Sequence, residues 1–211
     1  MHVEKFDYND KEELLANTYV ISDDYKKAVI IDPSSDGDGL SSYLIKNNLE
    51  PVAILLTHGH FDHIRGVNKL VDKYNLPIYI HENDREFLID PFFNCSYMLK
   101  KQIRIEKEPI LLNDKEELNL LSGDTIKVIH TPFHTVGSVC YYFINNKLLF
   151  SGDTLFMNSI GRDDLPTSNR RKRNSSLDKI KLLPKECKIY PGHGPNTSLN
   201  KELLLNHFLQ L

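Results

Sequence analysis

Runs dominated by Val, Ile, Leu, Tyr and Phe recur along the chain, separated by polar and turn-forming residues. They are NTYVIS from Asn17, KKAVIID around Val29, VAILLTH ending at His58 and PIYIHE ending at Glu82. Later come DTIKVIH ending at His130, SVCYYFI around Tyr141, KLLFSGD ending at Asp153 and CKIYPGH ending at His193. Such runs predict half-buried or fully buried strands. Asn145-Asn146, between two of them, predicts a tight hairpin turn. Between the strands the apolar period lengthens. Ile64, Val67, Leu70, Val71 and Tyr74 recur at helix spacing, and Leu76-Pro77 closes that element. Leu40, Tyr43, Leu44 and Leu49 predict a second helix, and Leu177, Ile180, Leu182 and Leu183 a third, stopped by Pro184. Leu199 to Leu211 reads as a short terminal helix. Alternating strands and helices place the chain in the α/β or α+β class with layered sheets.

The chain has 211 residues, enough for one large domain (1–211) that buries roughly 70% of its unfolded surface. No linker, low-complexity tract or internal repeat interrupts it. With 26 Lys and Arg against 29 Asp and Glu, the net charge is −3, which speaks against a nucleic-acid partner. Arg170-Arg171-Lys172-Arg173 is read as a solvated helix face. The longest apolar run, Val52 to Leu56, is too short to span a membrane. The N-terminal MHVEKFDYND is acidic and polar and has no secretory core. Three scattered cysteines, Cys95, Cys140 and Cys187, make no disulfide framework. A reduced, cytoplasmic setting is the expectation. Asp90 to Asp114 is irregular and reads either as a lid or pocket wall or as a surface loop with its own apolar cluster.

The placement of the nine histidines decides the chemistry. Thr57-His58-Gly59-His60-Phe61-Asp62-His63 follows an apolar strand and opens a helix. In extended backbone His58 and His60 point to one side, and Asp62 and His63 follow at the helix start. Asp62 alone would serve as a plain helix cap, but the combined spacing His-x-His-x-Asp-His is hard to explain by packing. Imidazole nitrogens and carboxylate oxygens are the ligands zinc takes in catalytic sites. His134 in HTPFHTVGS, Asp153 in LLFSGDTLF and His193 in YPGHGP each stand where a strand meets a Gly- or Pro-flanked loop. These seven candidates exceed the needs of one tetrahedral ion and suit two ions sharing a bridging group. A carboxylate such as that of Asp153 can span both. Two such ions acidify a shared water and stabilise an oxyanion.

THGHFDH, HTPFHTVGS, SGDTLF and PGHG, in that order, resemble the metallo-β-lactamase-fold hydrolases, and most of all the small proteins similar to glyoxalase II. The resemblance covers nearly the whole chain. It implies a four-layer αβ/βα sandwich of two mixed sheets with helices outside and metals at one sheet edge. It implies two zinc ions (iron or manganese in one or both sites being alternatives), with His58, His60 and His134 on one and Asp62, His63 and His193 on the other. Asp153 would bridge them, and Asp62 would also act catalytically by orienting the attacking hydroxide. Asp153 stands where β-lactam-hydrolysing members often carry Cys, which argues against that substrate. His60 stands where di-iron redox members carry Glu, which argues against that group. The segment Ser159 to Pro166 resembles a loop that follows the bridging aspartate, giving Arg162 a supporting or loop-fixing role or a simple ion pair with Asp163 or Asp164. His130 is expected to be a hydrogen-bonded structural histidine, and Asp32, in the Ile31-Asp32-Pro33 turn, to hydrogen-bond its own loop. His2, His81 and His207 are read as ordinary.

Phe133, Val136, Arg65, Ser34 and the Thr167-Ser168-Asn169 stretch depart from the family pattern, and Phe133 beside His134 is expected to narrow the metal mouth. Only 17 residues follow Gly194, so the C-terminal helical glutathione-binding domain of glyoxalase II is expected to be missing. The implied activity is hydrolysis of a small-molecule thioester or ester, such as a hydroxyacyl-glutathione. The alternatives are a mononuclear-iron persulfide dioxygenase using His58, His134 and Asp153, and a lactonase or other ester hydrolase.

Overall fold

Side-chain alternation along the strands sorts the apolar residues into three layers. In a computed structural model, which describes residues 1–8, 15–35 and 37–210, the described chain forms two six-stranded sheets. The first contains β1 (His2–Phe6), β2 (Thr18–Ser22), β3 (Lys27–Ile31), β4 (Glu50–Leu55), β5 (Ile78–His81) and β6 (Ile110–Leu112), in that order. The second contains β7 (Glu117–Leu118), β8 (Ile126–His130), β9 (Val139–Phe143), β10 (Leu148–Gly152), β11 (Lys188–Pro191) and β12 (Thr197–Ser198), again in chain order. Both are mixed. β3 to β6 pair in parallel and β1 to β3 antiparallel; β10 and β11 pair in parallel and the rest of the second sheet antiparallel.

Tyr19, Ile21, Val29, Ile31, Ala53 and Leu55 of the first sheet meet Val128, Tyr141, Phe143 and Phe150 of the second in one buried cluster. Their alternates Val20, Ala28, Ile30, Ile54 and Leu56 pack under α1 (Gly39–Lys46), α2 (Phe61–Ile64) and α3 (Val67–Tyr74). On the far side Ile129, Cys140, Tyr142, Leu149 and Ile189 pack under α4 (Arg173–Lys181) and α5 (Leu199–Leu205). The result is the helix–sheet–sheet–helix sandwich the resemblance implies, because period-two strands with two apolar faces must be covered on both.

Several boundaries differ from the sequence reading. The helix expected after His63 is two helices. Gly66 interrupts it, its N–H bonded to the Pro33 carbonyl at 2.7 Å, and a Cβ there would stand 2.2 Å from the Ser35 carbonyl oxygen. The terminal helix ends at Leu205, where the Asn206 side chain caps a short 3-10 turn, His207–Leu209; Leu211 lies outside the described residues. The Asn145-Asn146 turn is a four-residue loop, since Phe143 pairs with Leu148, and Lys147 takes a left-handed φ of 53°. The polar N-terminus forms edge strand β1, although Asn9 and Asp10 lie outside the described residues. Asp90 to Asp114 contains strand β6 as well as irregular chain. Among the described residues, no helix is long and apolar enough to cross a membrane.

Candidate metal centre

Strand direction brings the candidate ligands to one edge. β8 runs antiparallel to β9 and β9 to β10, so β8 and β10 share a direction, and β11 joins β10 in parallel. His134, Asp153 and His193 therefore follow the C-terminal ends of three co-directional strands. His58 to His63 follow the end of β4 in the other sheet. The two sheets are tied there by backbone bonds from Val139 N–H to the Thr57 carbonyl (2.8 Å) and from Asn17 N–H to the Gly192 carbonyl (2.7 Å).

All seven predicted residues converge. His58, His60 and His134 form one group of mutually close ligand atoms, Asp62, His63 and His193 a second, and His58, His63 and Asp153 a third. His60 Nδ1 lies 3.0 Å from His134 Nε2, His193 Nε2 3.1 Å from Asp62 Oδ2, and His63 Nε2 3.4 Å from Asp153 Oδ1. Asp153 Oδ2 stands 3.4 Å from His134 Nε2 and 3.7 Å from His193 Nε2, so this one carboxylate reaches both histidine sets. Ligand atoms about 2.0–2.1 Å from a tetrahedral ion lie roughly 3.3 Å apart, which is the spacing seen. His58 Nε2, His60 Nε2, His63 Nε2 and Asp153 Oδ1 are buried yet have no hydrogen-bond partner. Buried polar atoms are ordinarily satisfied. Four orphans in one cluster of this donor chemistry fit metal ions.

The protonation states of His58, His60, Asp62 and Asp153 suit cations. Burial, reinforced by neighbouring imidazoles, holds His58 well below its usual range and brings His60 down to about 3, so both are neutral donors. Burial alone would raise the carboxyls of Asp62 and Asp153, but His63, with His193 and for Asp153 also His134, overrides it and keeps both below the usual range. Burial likewise opposes charge on His63 and His193, and the carboxylates beside them reverse it and raise both.

The rings are held from behind. Asp32 Oδ2 accepts from His63 Nδ1 (2.9 Å) and from the Thr57 hydroxyl (2.6 Å), and Asp32 Oδ1 accepts from the Thr57 N–H (2.8 Å). The Thr57 hydroxyl oxygen lies 3.2 Å from His58 Nδ1. Asp32 thus fixes two histidines and leaves their Nε2 atoms facing the cluster, as orienting partners of ligating histidines do. Its role extends well beyond its own loop. His134 Nδ1 donates to the Arg162 carbonyl at 2.8 Å, while the Arg162 guanidinium pairs with Asp164 at the surface. Arg162 fixes the site through its backbone, and its side chain makes the simple ion pair.

Asp84 escaped the sequence reading. It is fully buried and accepts from Gly59 N–H (3.1 Å), Gly137 N–H (2.7 Å) and the Thr135 hydroxyl (2.7 Å). It joins the loop of His58 and His60 to the loop of His134. Burial pushes its carboxyl up to about 7 against those three bonds. Two glycines close around Asp153. A Cβ on Gly161 would stand 1.9 Å from the Asp153 carbonyl oxygen, and one on Gly192 2.3 Å from Asp153 Oδ1.

His130 Nε2 donates to the Val136 carbonyl (2.9 Å), and its ring stacks on His81 at 3.8 Å, outside the ligand groups. His81 is buried rather than ordinary, and burial with His130 beside it takes it down to about 4. Phe133 does not narrow the mouth. It is fully buried in the cluster under α4 and α5, because the residue before His134 turns the other way from it. Arg170 and Arg173 of the basic run both pair with Asp163 at 3.1 Å.

A sandwich of this topology with this ligand cluster defines a metal-dependent hydrolase fold, and residues 12–193 match the family model of the metallo-beta-lactamase superfamily. The chain belongs to that superfamily. Probable metallo-hydrolase YqgX of Bacillus subtilis is 38% identical to it over 198 residues, 92% of each chain. A hydroxyacylglutathione hydrolase of Pelagibacter ubique is 33% identical, covering 90% of this chain and 71% of that one. Among solved structures, the BLEG-1 B3 metallo-beta-lactamase superposes with a TM-score of 0.92 at 38% identity over all of both chains. TTHA1623, in a di-iron-bound form, superposes with a TM-score of 0.82 at 33% identity over 92% of this chain and 95% of that one.

Proposed function

We propose that this metal-dependent hydrolase is a binuclear zinc enzyme that cleaves thioesters. One observation carries the reading: the Asp153 carboxylate reaches both histidine sets, among buried imidazole and carboxylate atoms that have no hydrogen-bond partner. His58, His60 and His134 would hold one ion, Asp62, His63 and His193 the other, and Asp153 both. Two divalent ions there supply an acidified water and a Lewis acid for a carbonyl. Asp62, partly exposed at the mouth, orients the water through its carboxylate. Asp32, through Thr57 and His63, keeps the imidazoles from turning. The leaving thiol has an ordinary pKa near 8.5, so the thiolate departs without a strong general acid.

The likeness to a hydroxyacylglutathione hydrolase supports a thioester substrate. The likeness to BLEG-1, a B3 metallo-beta-lactamase, makes a β-lactam the rival substrate, and the di-iron TTHA1623 makes iron the chief rival metal. Metal analysis of the purified protein, followed by a panel of thioesters, lactones, a β-lactam and glutathione persulfide, tests the reading. Zinc near two per chain with thioesters turned over fastest is expected. Oxygen uptake with persulfide by an iron-loaded protein, or faster β-lactam cleavage, would overturn it.

A further inference from the structure

A groove of about 1140 Å³ runs along α2 and the start of α3, the helices that follow the ligand-bearing loop. Phe61 forms part of its wall, and Phe61 is bonded between the candidate ligands His60 and Asp62. Arg65 lies one helical turn after Phe61 on the same face and lines the groove with it. The opposite wall is the segment Met98 to Arg104, so this part of the irregular stretch is a pocket wall. Asn94 anchors that stretch to the metal helix. Its carbonyl accepts from Phe61 N–H at 2.8 Å, and its buried amide holds the Phe87 and Ile103 carbonyls.

The groove is cationic. Arg65, Lys69, Lys100, Lys101 and Arg104 line it against Asp72 and Glu106. Lys69 is neutralised by Asp38 at 2.8 Å, but the Arg104 guanidinium spends its bond on a neutral carbonyl, that of Ile89. Lys100 and Lys101 are exposed and form no ion pair with a described residue. The other rim of the metal mouth differs. There Arg162 is matched by Asp164, and Arg170 and Arg173 by Asp163. Among the described residues, Lys100 and Lys101 therefore give the groove positive charge that no ion pair balances. Clefts lined by one sign of charge concentrate ligands of the other. The volume also exceeds the few hundred cubic ångströms that a short acyl group would need.

We propose that this groove seats the non-reacting, multiply anionic carrier of the thioester, with Lys100 and Lys101 as its principal contacts. The proposal rests on the thioesterase reading and adds to it where the carrier lies and what charge it bears. A carrier bearing carboxylates, like glutathione, and one bearing phosphates, like coenzyme A, share this chemistry.

Equilibrium binding tests it without turnover. Zinc-loaded protein is titrated with S-methylglutathione and with S-methyl-coenzyme A, thioethers whose sulfur cannot ligate as a thiolate. The same titrations are made on Lys100→Gln/Lys101→Gln and Lys100→Glu/Lys101→Glu, with melting temperature and zinc content as folding controls. At least one probe should bind the wild type, weakening roughly threefold in the Gln variant and tenfold or more in the Glu variant, with the loss reduced at high salt. Whichever probe binds names the anion. In turnover, the ratio of kcat/KM for the charged thioester to that for a neutral N-acetylcysteamine thioester should fall by the same factors. If neither probe binds, or both variants bind within twofold of wild type, the groove assignment is wrong even if thioesters are hydrolysed. If no thioester is hydrolysed but probe binding follows the lysine charge, the reaction is misassigned and the anion site stands.

Discussion

Replacing Asp84 by Asn tests whether the metal centre depends on a residue that touches none of its ligands. Asp84 offers one oxygen to Gly59 N–H and the Thr135 hydroxyl and the other to Gly137 N–H. An amide can keep the first pair by placing its oxygen there, but its NH₂ then meets the Gly137 N–H, donor against donor. A buried donor left without a partner costs about 1–3 kcal/mol. For a chain of this size that corresponds to a fall in Tm of roughly 3–10 °C. The same change frees the peptide between His58 and His60, so zinc affinity should drop about 10- to 100-fold, the range typical of lost orienting partners. Asp84→Ala, which strands the Gly59 and Gly137 N–H groups and leaves the Thr135 hydroxyl only Ser138, should be worse on both counts. The pH dependence provides a separate check. A carboxyl whose pKa rises from 3.8 unfolded to about 7 folded binds its proton more tightly in the native state. Its contribution is fully present below the unfolded value and is lost as pH rises through 7, at no more than about 1.4 kcal/mol per pH unit. Between about pH 5 and pH 7, Asp84→Asn should therefore lose less stability with rising pH than the wild type. Thermal melts across pH and zinc competition against a chromophoric chelator measure all three effects. A variant with wild-type Tm, wild-type zinc affinity and an unchanged pH slope would refute the reasoning.

Chelation should abolish hydrolysis and excess zinc restore it; full activity in a metal-free sample, checked by elemental analysis, would end the mechanism. Asp32→Ala releases both His63 and Thr57 and should weaken zinc binding about 10- to 100-fold with fold retained, as read by competition titration and circular dichroism. Gly192→Ala forces a methyl to within 2.3 Å of Asp153 Oδ1 and should cut metal content and kcat together. Arg162→Ala removes only a surface ion pair, worth about 0–1 kcal/mol, and leaves the carbonyl on His134 in place, so zinc content should stay at the wild-type level.

The sandwich was legible because the strands repeat with period two on two apolar faces, as in Ala28–Ile31 and Val139–Phe143. The convergence of the seven residues was legible because each stands at a strand end beside a Gly or Pro. The supporting contacts were not. Asp84 sits in Glu82-Asn83-Asp84-Arg85-Glu86, which reads as a solvated turn, and its partners lie 25, 51 and 53 residues away. Asp32 likewise finds Thr57 and His63 through strand pairing, which no local pattern encodes. The break at Gly66 was not legible because the Pro33 and Ser35 carbonyls that crowd it come from another part of the chain. Phe133 misled because adjacency in sequence to His134 says nothing of which way a loop side chain turns.

The seven residues divide four and three between the two sheets, from His58 at the end of β4 to His193 after β11. Ions bound there would act as a staple across the sandwich. No ion could be captured fully until both halves had folded and met, so bound ions would favour the folded sandwich over the unfolded chain by mass action.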